Sequence, residues 1–201
     1  MAGPSCIVGA SERKQRELQE RKTLLLNISR ELFLEKGFAA VSVQEICRQA
    51  EYGKSAFYGL FESKEEVFSH IKLQGFTRIA TEMQKRTEGA TPAMALEQSA
   101  LLLCDFLANE PRLYEFCFLF YAESFHTPPH MEKEIQALVE EALQPVQKAL
   151  HDLGDREGLG ELFYTGLLGV INHFPRHGIV DEPTIRESAL QFVSHFIKGL
   201  G

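Results

Sequence analysis

The histidines of this 201-residue chain are candidates for metal binding, because two histidines on one helix face can bind a metal ion. Two pairs have the i, i+4 spacing that this needs: His126 with His130, and His173 with His177. Pro128 and Pro129 lie inside the first pair and Pro175 inside the second. Proline interrupts a helix, so we expect no metal site.

The four cysteines are scattered and form no Cys-x-x-Cys pair; they are Cys6, Cys47, Cys104 and Cys117. We expect them to be buried free thiols. The sequence also contains no paired Glu-x-x-His motif, no Ser/His/Asp grouping and no phosphate-binding loop. It therefore indicates neither an enzyme nor a bound cofactor.

Charge is distributed unevenly along the chain. The net charge is −7, yet residues 1–60 carry nine Lys/Arg against seven Asp/Glu. The cations concentrate in a short arm that contains Arg13, Lys14, Arg16, Arg21 and Lys22. Such an arm suits a phosphate backbone. The alternative is a plain solvated helix face, because Glu12, Glu17 and Glu20 are interleaved with these cations.

The elements that must position these residues are helices. Apolar spacing is helical nearly everywhere, and no stretch alternates with the period of a strand, so we predict an all-α chain. Uncharged apolar runs such as 162–170 are much shorter than the roughly 20 residues that cross a bilayer. The first ten residues do not have the pattern of a signal peptide. We therefore expect a cytoplasmic protein without a membrane span.

Four helices are predicted in the first part of the chain. The first spans Glu17 to Lys36, before Gly37. The second spans Ser42 to Ala50 and opens with a capping box, since Glu45 follows Ser42 by three residues. A turn of residues 51–54 leads to a short third helix from Ser55 to Phe61. Ser63, with Glu66 three residues on, caps the fourth.

Prolines delimit the later helices, because proline is tolerated in the first turn of a helix and not inside it. The predicted spans are 92–109, 111–125, 129–152, 157–175 and 183–199, which gives about nine helices in total. Pro145 lies within the third of these spans and should kink it. We predict two domains, 1–62 and 63–201.

Two short helices joined by a tight turn have the proportions of a helix-turn-helix. Four blocks of sequence add to this signal: Glu31-Leu-Phe-Leu-Glu-Lys-Gly-Phe38, Ser42-Val-Gln-Glu-Ile-Cys-Arg-Gln-Ala50, Lys54-Ser-Ala-Phe-Tyr58 and Phe61-Glu-Ser-Lys-Glu-Glu-Val67. In order and spacing they closely resemble the tetracycline-repressor (TetR) family. The resemblance implies a homodimer with a three-helix DNA-binding domain and a C-terminal helical domain for ligand binding and dimerisation.

The same resemblance implies which residues contact operator DNA. Backbone phosphates would be bound by Ser42, Lys54, Tyr58 and Lys64, and bases would be read by Gln44, Arg48, Ser55, Ala56 and Gly59. Ser42, Arg48 and Tyr58 also have plain structural interpretations, as a cap, a solvated charge and a packing residue. The chain departs from the family pattern at Glu51-Tyr52-Gly53 and at Gly59. Since the third helix has few hydrogen-bonding side chains, we expect DNA shape to share the discrimination.

For the C-terminal domain the resemblance implies an effector cavity and a dimer interface. Candidate effector residues are Phe106, Phe120, Tyr121, Phe125, Tyr164, Asn172 and His173. Candidate interface residues are Phe163, Gly166, Val170, Phe174, Ala189, Phe192, Val193 and Phe196. Both sets have the alternative of forming the subunit's own core.

The implied function is a ligand-responsive regulator, with repression the family's commonest output, that binds palindromic operator DNA. A small hydrophobic effector would tilt the fourth helix and release the operator. The alternative is a helical interaction protein in which the helix-turn-helix serves only as a scaffold.

Overall fold

The computed structural model describes residues 5–119, 127–154, 158–176 and 181–200. Within these residues the fold is all-α, with no strand, which confirms the predicted class. The α-helices are α1 Ser5–Lys36, α2 Val43–Gln49, α3 Lys54–Tyr58, α4 Lys64–Thr87, α5 Pro92–Asn109, α6 Pro111–Tyr114, α7 Pro129–Asp152, α8 Leu159–Arg176 and α9 Glu182–Lys198. A π-helical turn, Glu115–Leu119, follows α6 directly.

The start of α1 differs most from prediction, since α1 begins at Ser5 and not at Glu17. The upstream residues show no apolar stripe, so periodicity gave no sign of the extra turns. Four of the five later helices begin at a proline or one residue before it, as expected, whereas α8 begins at Leu159. Thr91, for example, caps α5 by accepting a hydrogen bond from the Met94 N–H at 3.4 Å, with Pro92 in the first turn.

The described residues fall into two compact units, which divide between Ile71 and Lys72. The first contains residues 5–71 and 127–131, and the second contains the remainder. This boundary lies inside α4, whereas the sequence analysis placed it at residue 62. The reason is that the first two turns of α4 bury Val67, Phe68 and Ile71.

Aromatic side chains form the core of the first unit. The ring of Phe38 lies 5.1 Å from that of Phe33 and 5.2 Å from that of Phe68, measured between centroids. Phe57 of α3 packs against Phe61 at 5.5 Å. Since Phe68 belongs to α4, these contacts fix α4 to α1 and to the loop that follows α1.

In the second unit α5 packs against α8 and α9. Asp105 of α5 accepts hydrogen bonds from Arg86 of α4, at 2.6 Å, and from Arg186 of α9. These part-buried ion pairs connect three helices. The π-helical turn buries Cys117 beside Gly75, where a Cβ atom would collide with the cysteine Sγ. Gly75 is therefore required for the close approach of α4 to this turn.

Three of the four cysteines, Cys47, Cys104 and Cys117, are buried free thiols, and the side chain of Cys6 lies outside the described part. Burial raises the pKa of the Cys104 thiol to about 11, so it is not a thiolate at neutral pH. No helix of the described residues is long and apolar enough to cross a membrane.

Candidate nucleic-acid interface

The turn between α2 and α3 is built around a left-handed residue. Ser42 caps α2, and its Oγ accepts a hydrogen bond from the Glu45 N–H at 3.2 Å. At the other end Glu51 adopts φ +57°, and the Tyr52 N–H donates to the Cys47 carbonyl at 2.9 Å. This is the arrangement by which glycine usually ends a helix. A glutamate in this conformation is strained by contact between its Cβ and the backbone.

Helix α3 has two unlike faces. Phe57 is 0% exposed and faces the core, whereas its neighbour Tyr58 is 56% exposed. Lys54, Ser55 and Gly59 are also exposed, and Ala56 is half-buried. The outward face of α3 is therefore open to a partner molecule, while Phe57 anchors the helix from behind.

Five of the nine predicted DNA-binding residues line one shallow depression of about 580 Å³. They are Ser42, Gln44, Lys54, Tyr58 and Lys64. These residues come from α2, α3 and α4, so the fold brings together side chains that are up to 22 positions apart in the sequence. Arg48, Ser55, Ala56 and Gly59 do not line this depression.

The charges at this depression are mixed, because Glu62 and Glu65 line it together with Lys54 and Lys64. Among the described residues Lys54 has no ion-pair partner. The nearby carboxylate of Glu45 is held by Lys36 at 2.7 Å and by Arg48 at 3.7 Å. The hydrogen bond from Lys36 lowers the pKa of Glu45, and the same bond raises the pKa of Lys36. Glu45 therefore stays ionised but largely compensated.

Lys64 is held by the protein itself. Its ammonium donates to the carbonyls of Phe38 and Val41, both at 2.8 Å, and lies 4.4 Å from the centre of the Phe38 ring. Two of its three N–H groups thus bind the loop between α1 and α2. Sequence reasoning missed this role, and a phosphate contact by Lys64 remains a prediction that rests on the third N–H.

The predicted effector residues are only partly assembled. Phe120, Tyr121 and Phe125 lie outside the described residues. Asn172 is buried and accepts a hydrogen bond from the Tyr114 hydroxyl at 2.6 Å. Phe106 packs against Tyr114 at 5.9 Å and borders a groove of about 410 Å³ between α4 and α5, which Asn172 does not line. Tyr114 is not among the predicted effector residues, although its hydroxyl is the donor to Asn172.

The other two predicted effector residues occupy different environments. Burial raises the pKa of the Tyr164 hydroxyl, as it does for Tyr114, so both stay protonated at neutral pH. His173 is exposed and lies edge-on to Phe174 at 5.5 Å. The groove beside Phe106 includes neither Tyr164 nor His173.

Three of the predicted interface residues on α8 and α9 are buried within the single chain. Phe163, Ala189 and Val193 are at most 1% exposed in the single chain. Phe163 packs on Phe192 at 5.7 Å and on Phe196 at 5.1 Å. Phe163 therefore joins α8 to α9 inside the subunit, and all three side chains leave almost no surface exposed on the single chain.

The remaining interface candidates keep some exposed surface. Gly166 is needed where it stands, because a Cβ would lie 2.7 Å from the ring of Phe192. Val170, Phe174, Phe192 and Phe196 are half-buried. Leu162, on the same helix as the first two, is 59% exposed.

Comparison with known proteins gives a family match for the helix-turn-helix. Residues 25–71 match the family described as bacterial regulatory proteins of the tetR family. The transcriptional regulator UidR of Escherichia coli K12 is 35% identical over 75 residues, which is 37% of this chain and 38% of that protein. The matched region spans only about a third of the length of such curated relatives.

Solved structures match more of the chain, at low identity. A tetR-family regulatory protein from Rhodococcus RHA1 has a TM-score of 0.72 and 17% identity, with 90% of this chain and 97% of that one covered. FadR of Bacillus halodurans, a fatty acid degradation regulator, has a TM-score of 0.71 and 15% identity, with coverage of 86% and 94%. These likenesses establish the fold, and the sequence matches establish the helix-turn-helix. The chain is thus similar to bacterial regulatory proteins of the tetR family over residues 25–71, and its fold is similar to theirs over most of its length.

Proposed function

We propose that this protein is a ligand-responsive transcriptional regulator, most simply a repressor, that binds palindromic operator DNA as a homodimer and is not an enzyme. The observation that carries the proposal is the depression where Ser42, Lys54 and Tyr58 meet beside the exposed face of α3. A lysine without an ion-pair partner and two hydroxyl groups form a site that suits the phosphate backbone.

The proposed phosphate contacts follow from what each group can donate. Lys54 supplies a positive charge that no described carboxylate neutralises. The Tyr58 hydroxyl belongs to a side chain that is 56% exposed. The Ser42 Oγ already accepts from the Glu45 N–H, which leaves its own hydroxyl hydrogen free to donate.

Base recognition falls to the exposed side chains of α2 and α3. Gln44 and Arg48 of α2 carry the longest side chains, and Ser55 and Ala56 of α3 are short. Gly59 allows close backbone approach. Because α3 offers few hydrogen-bonding groups, we propose that the shape and deformability of the operator contribute to specificity.

The homodimer and the effector rest on the second unit. Leu162, Val170 and Phe192 leave apolar surface exposed on α8 and α9, which suits an isologous pairing of the same helices from two copies. We propose a small hydrophobic effector that releases the operator. The similarity of the fold to FadR of Bacillus halodurans, a fatty acid degradation regulator, supports this proposal. Binding to chromosomal DNA would place the protein in the cytoplasm.

The test measures binding of the purified full-length protein to DNA from upstream of its own gene, by fluorescence anisotropy over a range of salt concentrations. We expect Lys54→Ala to weaken binding about equally for specific and unrelated DNA, and to reduce the salt slope by about one unit. Lys133→Ala is the matched control, since Lys133 is an exposed lysine of α7. It should leave both quantities unchanged.

Two outcomes contradict the proposal. If the wild-type protein shows no preference for any DNA, the helix-turn-helix is a scaffold and the alternative function stands. If Lys54→Ala keeps full affinity but loses sequence preference, Lys54 does not bind phosphate. Effector release is tested separately, by adding fatty acids and other apolar small molecules to the preformed complex.

A further inference from the structure

The N-terminal turns of α1 extend beyond the part of the chain that matches the family. The family match begins at residue 25, and α1 begins at Ser5. Every residue from 11 to 20 is exposed. No packing therefore accounts for residues 11–20, whereas Lys22 at the end of the segment lies over the ring of Phe61. We call residues 11–22 the basic arm, because it contains five cations against three acids.

One face of the basic arm is continuous with the face of α1 that packs on the first unit. Lys14, Leu18, Arg21 and Leu25 are spaced at i, i+4, i+7 and i+11, which places them on one side of a helix. Leu25 is 0% exposed. The Arg21 guanidinium lies 5.2 Å from the ring centre of Tyr52, in the turn between α2 and α3. This face of the arm is therefore on the side of α1 where that turn lies.

The same face is mainly cationic, and its one acid, Glu17, is paired. Among the described residues, neither Lys14 nor Arg21 forms an ion pair. The Glu17 carboxylate is bound by Arg13 at 3.0 Å. Glu12 and Glu20 fall on the opposite half of the helix, together with Arg16, by the same 3.6-residue geometry. Lys14 and Arg21 thus present charge to one side and Glu12 and Glu20 are directed to the other, while Glu17, on the same half as Lys14, is paired with Arg13.

The reach of the arm fits a DNA duplex. Arg21 lies beside the turn that leads into α3, and Lys14 is seven residues further along a continuous helix. At about 1.5 Å per residue the rise between them is about 10 Å, which corresponds to about three base pairs at about 3.4 Å each. The arm is long enough to reach phosphates outside the segment that α3 contacts.

We infer that the basic arm binds the backbone phosphates of double-stranded DNA flanking the segment read by α3, with Lys14 and Arg21 as the contacts. The inference rests on the proposed function, since it requires α3 to dock on DNA. Charge complementarity identifies the partner. Residues 61–201 carry twelve Lys/Arg against twenty-one Asp/Glu, so the arm is an exception in an acidic chain.

The experiment compares two variants of the full-length protein, Lys14→Ala and Arg16→Ala. Both remove one exposed cation from the same two turns of α1, from opposite faces. Affinity for the operator is measured against salt concentration on a long duplex, and on one trimmed by about six base pairs at each end. On the long duplex Lys14→Ala should lower the salt slope by about one unit and weaken binding several-fold, whereas Arg16→Ala should match the wild type. Trimming should weaken the wild type more than Lys14→Ala.

Failure of this inference differs from failure of the proposed function. If the wild type binds the operator and Lys14→Ala has the same salt slope, the arm does not bind phosphate and only this inference is overturned. If sedimentation shows that Lys14→Ala changes the oligomeric mass, the arm binds a second copy of the chain, which also overturns it. A wild type that binds no DNA overturns both.

Discussion

The two units of the molecule use their candidate functional residues differently. In the first unit, the exposed face of α3 carries Lys54 and Tyr58, and the buried face carries Phe57. In the second unit, several candidate residues are themselves part of the core, including Phe163 and Asn172. In the first unit the proposed binding residues and the core residue lie on opposite sides of one helix, whereas in the second unit several proposed binding residues are themselves core residues.

This difference determines what substitution can reveal. A change on the outer face of α3 should affect binding and leave folding intact. A change among the predicted effector or interface residues of the second unit should affect folding as well, because the lost contacts belong to the core. A variant of the second unit that loses its response to ligand is therefore evidence for a site only when the stability of that variant is measured as well.

The largest expected effect separates two neighbouring aromatic residues of α3. Phe57→Ala removes a side chain with no exposed surface and should lower the free energy of unfolding by about 3–5 kcal/mol. Tyr58→Ala removes an exposed side chain and should change stability by less than about 1 kcal/mol, while weakening DNA binding. Urea denaturation and anisotropy measure the two quantities. Equal loss of stability in both variants would break the contrast between the two faces.

An intermediate effect is expected in the second unit. Tyr114→Phe removes the hydrogen bond to Asn172 and leaves the buried amide oxygen without a partner, which should cost about 1–3 kcal/mol. Tyr164→Phe is the control, because the Tyr164 hydroxyl forms no hydrogen bond within the described residues. The measurement is again the free energy of unfolding. If Tyr114→Phe left the free energy of unfolding unchanged, candidate residues of the second unit could also be altered without loss of stability.

The smallest expected effect concerns the turn between α2 and α3. Glu51→Gly should raise the free energy of unfolding by about 0.5–1 kcal/mol, because glycine relieves the strain at φ +57° and loses part of that gain to its more flexible unfolded state. Glu51→Gln keeps the strain and removes the negative charge, so it should strengthen DNA binding without stabilising the fold. If Glu51→Gln raises the free energy of unfolding as much as Glu51→Gly does, the negative charge of Glu51, and not backbone strain, limits the stability of this turn.

Local signals in the sequence predicted most of the helices, and the resemblance named five residues that share the depression beside α3. The Ser42 cap is present as predicted, and Pro92, Pro111 and Pro129 each open a helix. The second capping box differs, since the Glu66 carboxylate accepts from the Glu62 N–H, one residue before the Ser63 cap. Signals of this kind act within a few residues, so a single sequence contains them.

Long-range packing could not be predicted in the same way. Nothing near Tyr114 in the sequence indicates its hydrogen bond to Asn172, 58 positions away. Helix 111–125 was expected to be continuous, yet the π-helical turn Glu115–Leu119 follows a single turn of α6. Which face of α8 is buried also depends on Phe192 and Phe196 of α9. Such contacts depend on the packing of the whole fold, whereas periodicity indicates only that a helix has an apolar side.

The contacts of Lys64 matter for any attempt to retarget this protein to a new operator. A randomised library over Gln44, Ser55 and Ala56 samples exposed or half-buried positions and should yield folded variants. A library that also varied Lys64 would remove the hydrogen-bond donor of two carbonyls in the loop between α1 and α2. Variants at Lys64 that failed to bind would be interpreted as lacking contacts to the new operator. Their actual defect would be a destabilised loop between α1 and α2.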